Sequence, residues 1–151
     1  MGRLLPVTAI IDRLLRVWLE PLGDEAAAQA AFREVYADPV SVNGTARAVA
    51  DLVGRARDLQ AAFEGLQVEI IDRVEAPERI VIAFWMRGRH VGPLPTPIGV
   101  VASTGRVVEA LTIDVLTVTD RLVTAIWVVA DDLGLLRQLD GVTLTVSARG
   151  R

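Results

Sequence analysis

The chain is expected to fold as an α+β domain, with a cone-shaped, strongly curved antiparallel sheet packed on three N-terminal helices around an apolar pocket. Three observations predict this. Apolar residues recur at three- and four-residue spacing up to about Phe63, which is the period of an amphipathic helix. After Gly65 the period changes to two, the period of a half-buried strand, with no return to helix between the strands. Finally, 52% of the 151 residues are apolar, a surplus that a lined cavity or a subunit interface would absorb.

The elements follow in order. Residues 6–20 read as a helix with Ile10, Leu14, Val17 and Trp18 on one face, Pro6 in its first turn, and Pro21 and Gly23 ending it. Asp24 can cap a second helix through Val35, with Ala27, Ala31 and Phe32 inward. Residues 36–44 form a short extended segment and a turn. Thr45 is expected to cap a third helix to about Phe63, with Val49, Leu52, Val53, Ala56 and Leu59 as its stripe. Strands are expected over 68–74, 80–90, 107–118 and 122–130. A Gly- and Pro-rich loop follows the second of them, and a tight turn at Thr119, Asp120 and Arg121 joins the last two. A short helix over about 132–139 and an edge strand over 142–147 close the chain. No composition shift or linker marks a boundary, so residues 1–151 are read as one domain.

Composition narrows the chemistry. There is no cysteine, which removes disulfides, thiol nucleophiles and thiolate metal sites. All 16 basic residues are arginine, so no lysine is present to form a Schiff base. With a single histidine, multi-histidine zinc sites are also removed, and no cofactor or metal is expected. The net charge of −3 with interspersed signs does not suggest a nucleic-acid surface. The longest apolar run, 122–130, is far shorter than the ~20 residues of a membrane helix, so no membrane partner is expected. The N-terminal apolar stretch reads as the first helix and not as an exporting segment, which makes the cytoplasm the expected location.

The informative residues are polar groups on apolar faces. By strand alternation Val123, Ala125, Trp127, Val129 and Asp131 share one face, which ends in a carboxylate. Thr112, Asp114, Leu116 and Val118 share another, with an acid in mid-strand. Ile80, Ile82, Phe84, Met86, Gly88 and His90 share a third, which ends in the only histidine. Asp38 precedes Pro39 in the segment between the second and third helices. Curved strands would turn these faces toward one concavity. The expected catalytic residues are therefore Asp131, His90, Asp114 and Asp38, and the expected substrate-binding residues are Trp127, Val129, Met86, Phe84, Tyr36, Trp18 and Leu116. A carboxyl group in such a pocket has its pKa raised toward the range useful for proton transfer. Each residue also has a structural reading: a helix cap for Asp131 or Asp132, a hydrogen-bonded buried acid for Asp114, a satisfied strand-end ring for His90, and a turn former for Asp38.

Over residues 10–140 the pattern resembles the nuclear transport factor 2-like superfamily and, within it, the SnoaL-like polyketide cyclases. The segment 126–139 is similar to that family's strand-to-helix ending, with Trp127, Asp131 four residues on, and Gln138-Leu139 closing the helix. Gly88-Arg89-His90-Val91-Gly92 is similar to its Gly-x-His-x-Gly strand end, and Asp38-Pro39 to Gly44 to the segment before its third helix. The resemblance implies an intramolecular aldol closure of a small, apolar, polyketide-like molecule. Asp131 would be the acid/base, His90 or Asp114 would polarise the oxygen that gains charge, and two copies would pair through the open sheet face. Arg121 stands where the family's final hairpin has Gly. The Asp-Pro segment also resembles ketosteroid isomerases, but the first helix has no tyrosine. Epoxide hydrolases and epoxide-opening cyclases share the fold and pair carboxylates, a role open to Asp114 with Asp131 or Asp38. A binding module without chemistry is the third alternative.

Overall fold

The computed structural model describes residues 7–143 and 145. The elements are α1 (Val7–Leu19), α2 (Glu25–Arg33), β1 (Tyr36–Val42), β2 (Thr45–Arg47), α3 (Val49–Ala62), β3 (Phe63–Ala76), β4 (Arg79–His90), β5 (Leu94–Thr96), β6 (Gly99–Val101), β7 (Val107–Thr119), β8 (Leu122–Ala130) and α4 (Asp132–Gln138). The α+β expectation holds, with boundaries mostly within a few residues of those read from the periodicity. Pro6 and half of the expected edge strand over 142–147 lie outside the described residues; Val142, Thr143 and Thr145 have no regular structure. Among the described residues no helix is long and apolar enough to cross a membrane.

Six strands form one open, curved sheet in the order β2-β1-β8-β7-β4-β3, and β5-β6 form a separate hairpin. The sheet is mixed and not wholly antiparallel, because β1 runs parallel to β8. These two strands are joined only through the rest of the sheet and α3, the kind of long crossover a parallel pair requires. Asn43 secures their junction. Its amide donates to the Val128 carbonyl at 3.1 Å and accepts from the Val128 N–H at 2.8 Å, so a side chain stands in for a strand partner.

The caps show where local chemistry was readable. Asp24 accepts from the Ala27 N–H at 2.9 Å, as its position predicts. Thr45 does not cap α3; it pairs with Val42 in the β1-β2 hairpin, and the helix begins four residues later. Its first N–H groups are instead taken by two carboxylates: Asp51 accepts from Ala48, and Asp38, from the preceding strand, accepts from Val49, each at 3.1 Å.

The helices cover the inner face of the sheet. Ile11 and Leu14 of α1, Phe32 of α2, and Val49 and Val53 of α3 meet Ile80, Ile82, Leu116 and Val123 in the main core. A second cluster, built from Ala62, Phe63, Leu94, Val108 and Leu139, closes the far end of the sheet.

Candidate functional site

The expected inner faces of β4 and β7 are observed: Ile80, Ile82, Phe84, Leu116 and Thr112 are all buried. Asp114 stands among them, with Ile82 and Val128 as its cross-strand neighbours. It is partly exposed as a residue, but its Oδ1 is buried and has no hydrogen-bond partner. Loss of hydration on burial raises its pKa from 3.8 to about 6. A carboxyl group poised there can both take and return a proton near neutral pH.

Two aromatic residues supply a second polar feature on the same side. The Trp18 indole N–H on α1 donates to the Tyr36 hydroxyl at the start of β1, at 2.7 Å. Phe32 stacks on Tyr36 and meets Trp18 edge-on. Burial pushes the Tyr36 phenol well above its ordinary pKa, against the opposing effect of the Trp18 hydrogen bond, and the charge of Asp114 pushes the same way as burial. Phe84, Leu116 and the partly buried Met86 pack on this core, so of the seven expected lining residues, Tyr36, Trp18, Phe84, Met86 and Leu116 belong to the inner side.

Trp127 and Val129 do not. They are 55% and 73% exposed, on the outer face. The cause is one extra residue in β8. Thr117 pairs with Ala125 but Val118 pairs with Val123, so Thr124 is bulged out of the ladder. Side-chain parity reverses there. Val123 faces inward before the bulge, and after it the inward residues are Ile126, Val128 and Ala130, the partners of Leu116, Asp114 and Thr112. Asp131 therefore does not continue the Val123 face. Its Oδ1 accepts from the Gly134 N–H at 2.9 Å and caps α4. A Cβ on Gly134 would collide with that carboxylate, which gives the glycine two residues into the helix a steric reason.

His90 and Asp38 are likewise held by backbone. His90 is fully buried in the second cluster, its ring 5.5 Å from that of Phe63. Its Nδ1 accepts from the Thr104 N–H at 3.2 Å and lies 3.0 Å from the Thr104 hydroxyl, an arrangement that places the proton on Nε2, which has no partner. The His90 backbone bonds Gly105 and Arg106, so the residue pins the loop before β7. The flanking Gly92 passes so close to the Ala61 carbonyl that a Cβ there would collide with it. Asp38, after which the peptide bond to Pro39 is cis, caps α3 and accepts from the Arg33 guanidinium at 3.1 Å. The Val49 N–H, and to a lesser degree Arg33, hold its carboxyl below the usual range.

Two surface clefts are described. One, of about 450 Å³, lies between α1 and α2 beside Arg13, Arg16 and Glu34. The other, of about 340 Å³, lies against β3 and β4 beside Glu69, Trp85 and Arg87. Neither is lined by Asp114. The inner face expected to enclose a pocket is largely filled by the main core, and partly buried Trp18, Met86, Val118 and Val128 pack at its margin. Sequence reasoning named Trp18 and Tyr36 as lining residues but not their hydrogen bond, which spans two elements. It also missed Asn43, for which an Asn-Gly pair after a short strand was the available signal.

An open curved sheet with three helices on its inner face defines the α+β class to which the chain belongs. The chain belongs to the SnoaL-like polyketide cyclase family, whose profile matches residues 8–139. Solved structures share the fold. TsrD from Streptomyces laurentii is 22% identical with a TM-score of 0.76, the match covering 93% of this chain and 100% of that one. IdmH from Streptomyces antibioticus is 20% identical with a TM-score of 0.69, covering 90% and 99%. A SnoaL-like polyketide cyclase from Agrobacterium tumefaciens is 18% identical with a TM-score of 0.63, covering 86% and 97%. No curated protein matches the chain.

Proposed function

We propose that the chain is a cofactor-independent acid–base enzyme of the polyketide cyclase type, with Asp114 as its proton-transfer group. The observation that carries this reading is the buried, partnerless Oδ1 of Asp114 on the inner face. Of the other three candidates, Asp131 and Asp38 are bonded to helix-end N–H groups and His90 Nδ1 to a loop N–H. In the proposed step the Asp114 carboxylate takes a proton from the α-carbon of an enolisable ketone. The freed electron pair forms a carbon–carbon bond to a second carbonyl of the same molecule, and the new alkoxide recovers the proton from Asp114. No co-reactant is consumed. An epoxide-opening reaction that pairs two carboxylates has less support, since Asp38 and Asp131 are both committed as caps.

The test is turnover of a linear or partly cyclised aromatic polyketide ester. Asp114→Asn is expected to lose about 10²–10⁴-fold in rate, whereas Asp131→Asn, which keeps an oxygen to cap α4, retains most of it. The reverse pattern would move the base to Asp131; full activity in both would remove both acids as the base, and no turnover by wild type would leave a binding module. Pairing of two copies is proposed through the outer face, where Ile113, Trp127 and Val129 form an exposed apolar patch.

A further inference from the structure

The two described clefts do not reach Asp114, and the main core fills the space over the inner face. A substrate that meets the carboxylate has to displace part of that core. The three helices over it differ in how they are held. α2 is tied at both ends: Glu25 pairs with Arg57 of α3 at 3.6 Å, and Arg33 donates to Asp38 of β1 at 3.1 Å. α3 is tied at its start by Asp38, which accepts from Val49, and in its last turn by Gln60. α1 is tied at one end only. The Gln60 amide nitrogen donates to the Trp18 carbonyl and to the Glu20 carbonyl, each at 2.9 Å. One turn earlier on α3, Arg57 donates to the Gly23 carbonyl, also at 2.9 Å. Two side chains of α3 thus pin the end of α1 and the linker to α2. Residues 9–17 make no hydrogen bond or ion pair to another element among the described residues; the one ion pair there, Arg16 with Glu20 at 4.0 Å, stays within the end of α1. Ile10, Ile11 and Leu14 hold this stretch by apolar burial alone. Beside it lies the cleft of about 450 Å³ that separates α1 from α2.

We propose that α1 is a hinged lid over the inner face, with its pivot in residues 18–23 and its moving part in residues 9–17. The purpose of the lid rests on the acid–base reading above. Apolar contacts are non-directional, so the body of an apolar substrate can replace them; a buried hydrogen bond broken on opening would need an equivalent partner. The stretch without polar ties is therefore the one that can lift. Opening exposes Ile10, Ile11 and Leu14 to water, which keeps the lid closed until a ligand covers the vacated face. Ile82, the β4 neighbour of Asp114, belongs to the same core as these three residues, so lifting α1 uncovers the side of the sheet on which the acid stands. Closure over the bound molecule then excludes water from the proton transfer.

The chain has no cysteine, so introduced thiols report without background. Leu14→Cys puts a thiol beneath the moving part, and Leu52→Cys puts one on α3 at the same 6% exposure. N-ethylmaleimide is expected to label the first about tenfold or more faster than the second, with a rate that depends little on urea, as local opening requires. Equal rates with equal urea dependence would overturn the lid, because only global unfolding would then expose α1. If Leu14→Cys does not fold, Ile11→Cys takes its place. Arg13→Cys with Glu34→Cys, joined across the cleft by a disulfide-containing bismaleimide, ties the moving part to α2. Turnover should fall about tenfold or more and return when a reductant cuts the linker. The same linker between Glu20→Cys and Ala27→Cys, beside the pivot, should leave turnover unchanged. An Arg13–Glu34 tether that leaves turnover intact, or a loss that reduction does not reverse, would overturn the proposal. If the wild-type chain turns over no substrate, the acid–base reading fails, and the labelling ratio still upholds or overturns the lid.

Discussion

Asp114 and Asp131 occupy similar sequence settings, each an acid within or at the end of a run of apolar strand residues, yet the fold assigns them opposite fates. Asp114 lies on β7 before any irregularity, between Ile82 and Val128, with one oxygen denied both water and hydrogen bonds. Asp131 lies beyond the Thr124 bulge, on the reversed parity, and spends its carboxylate on the first turn of α4. A single inserted residue thus separates an acid whose ionisation is disfavoured from one that is anchored to a helix end. Residue type and alternation do not distinguish a reactive carboxylate from a capping one; the register of the neighbouring strand does.

The comparison can be broken at several points, the most severe being strand parity beyond the bulge. Inserting one residue between Ala125 and Ile126 would reverse the parity a second time along the same ladder, driving Trp127 and Val129 inward and Ile126 and Val128 outward. The expected outcome is loss of the cooperative thermal transition; an insertion variant that melts like wild type would show that strand parity does not set the face. The next effect concerns pH. The Asp114 pKa is raised on folding, so between about pH 4 and 6 the folded chain holds a proton that the unfolded chain releases, and stability is lost as pH rises through about 6. Asp114→Asn, which cannot ionise, should be more stable than wild type by about 3 kcal/mol at pH 8 in urea titrations, and the gap should close below about pH 4. A constant gap across that range would mean that the carboxyl is not desolvated. A smaller effect is expected at the other acid. Asp131→Ala removes the α4 cap and should cost about 1 kcal/mol, largely restored in Asp131→Asn. The smallest concerns the β7-β8 turn, where Asp120 and Arg121 both have positive φ, 50° and 69°. This is the primed hairpin turn in which glycine is preferred at the second position. Arg121→Gly should therefore raise stability by roughly 0.5–1 kcal/mol, read as an upward shift of the thermal midpoint.

Much of the fold was legible because helical and strand periods differ and neither depends on distant residues. The Asp24 cap, β8 and the inner faces of β4 and β7 emerged from spacing alone. Features that depend on a partner strand or loop did not. The parallel β1-β8 pairing places no mark on either segment that alternation can detect. Thr45 satisfies the usual signature of a helix cap, yet β1 draws it into a hairpin and Asp38 and Asp51 supply the cap. His90 sits inward as its parity predicts, but at the far end of the sheet, where Thr104 and Phe63 surround it. Gly92 and Gly134 stood within quoted motifs, but the steric reason for each needed the Ala61 carbonyl and the Asp131 carboxylate that lie against them.

By itself, the sequence determined the class of architecture and the chemistry open to it. The change of period from helix to strand dictates α+β, and a chain without lysine or cysteine is left with carboxylates, hydroxyls, arginines and one imidazole. Only the tertiary structure decided which carboxylate is available for that chemistry. Desolvation is a property of the surroundings and not of the residue, and here those surroundings are set by the Thr124 bulge, by the packing of α1 through α3 on the inner face, and by the backbone N–H groups that claim Asp38 and Asp131 and leave Asp114 without a partner.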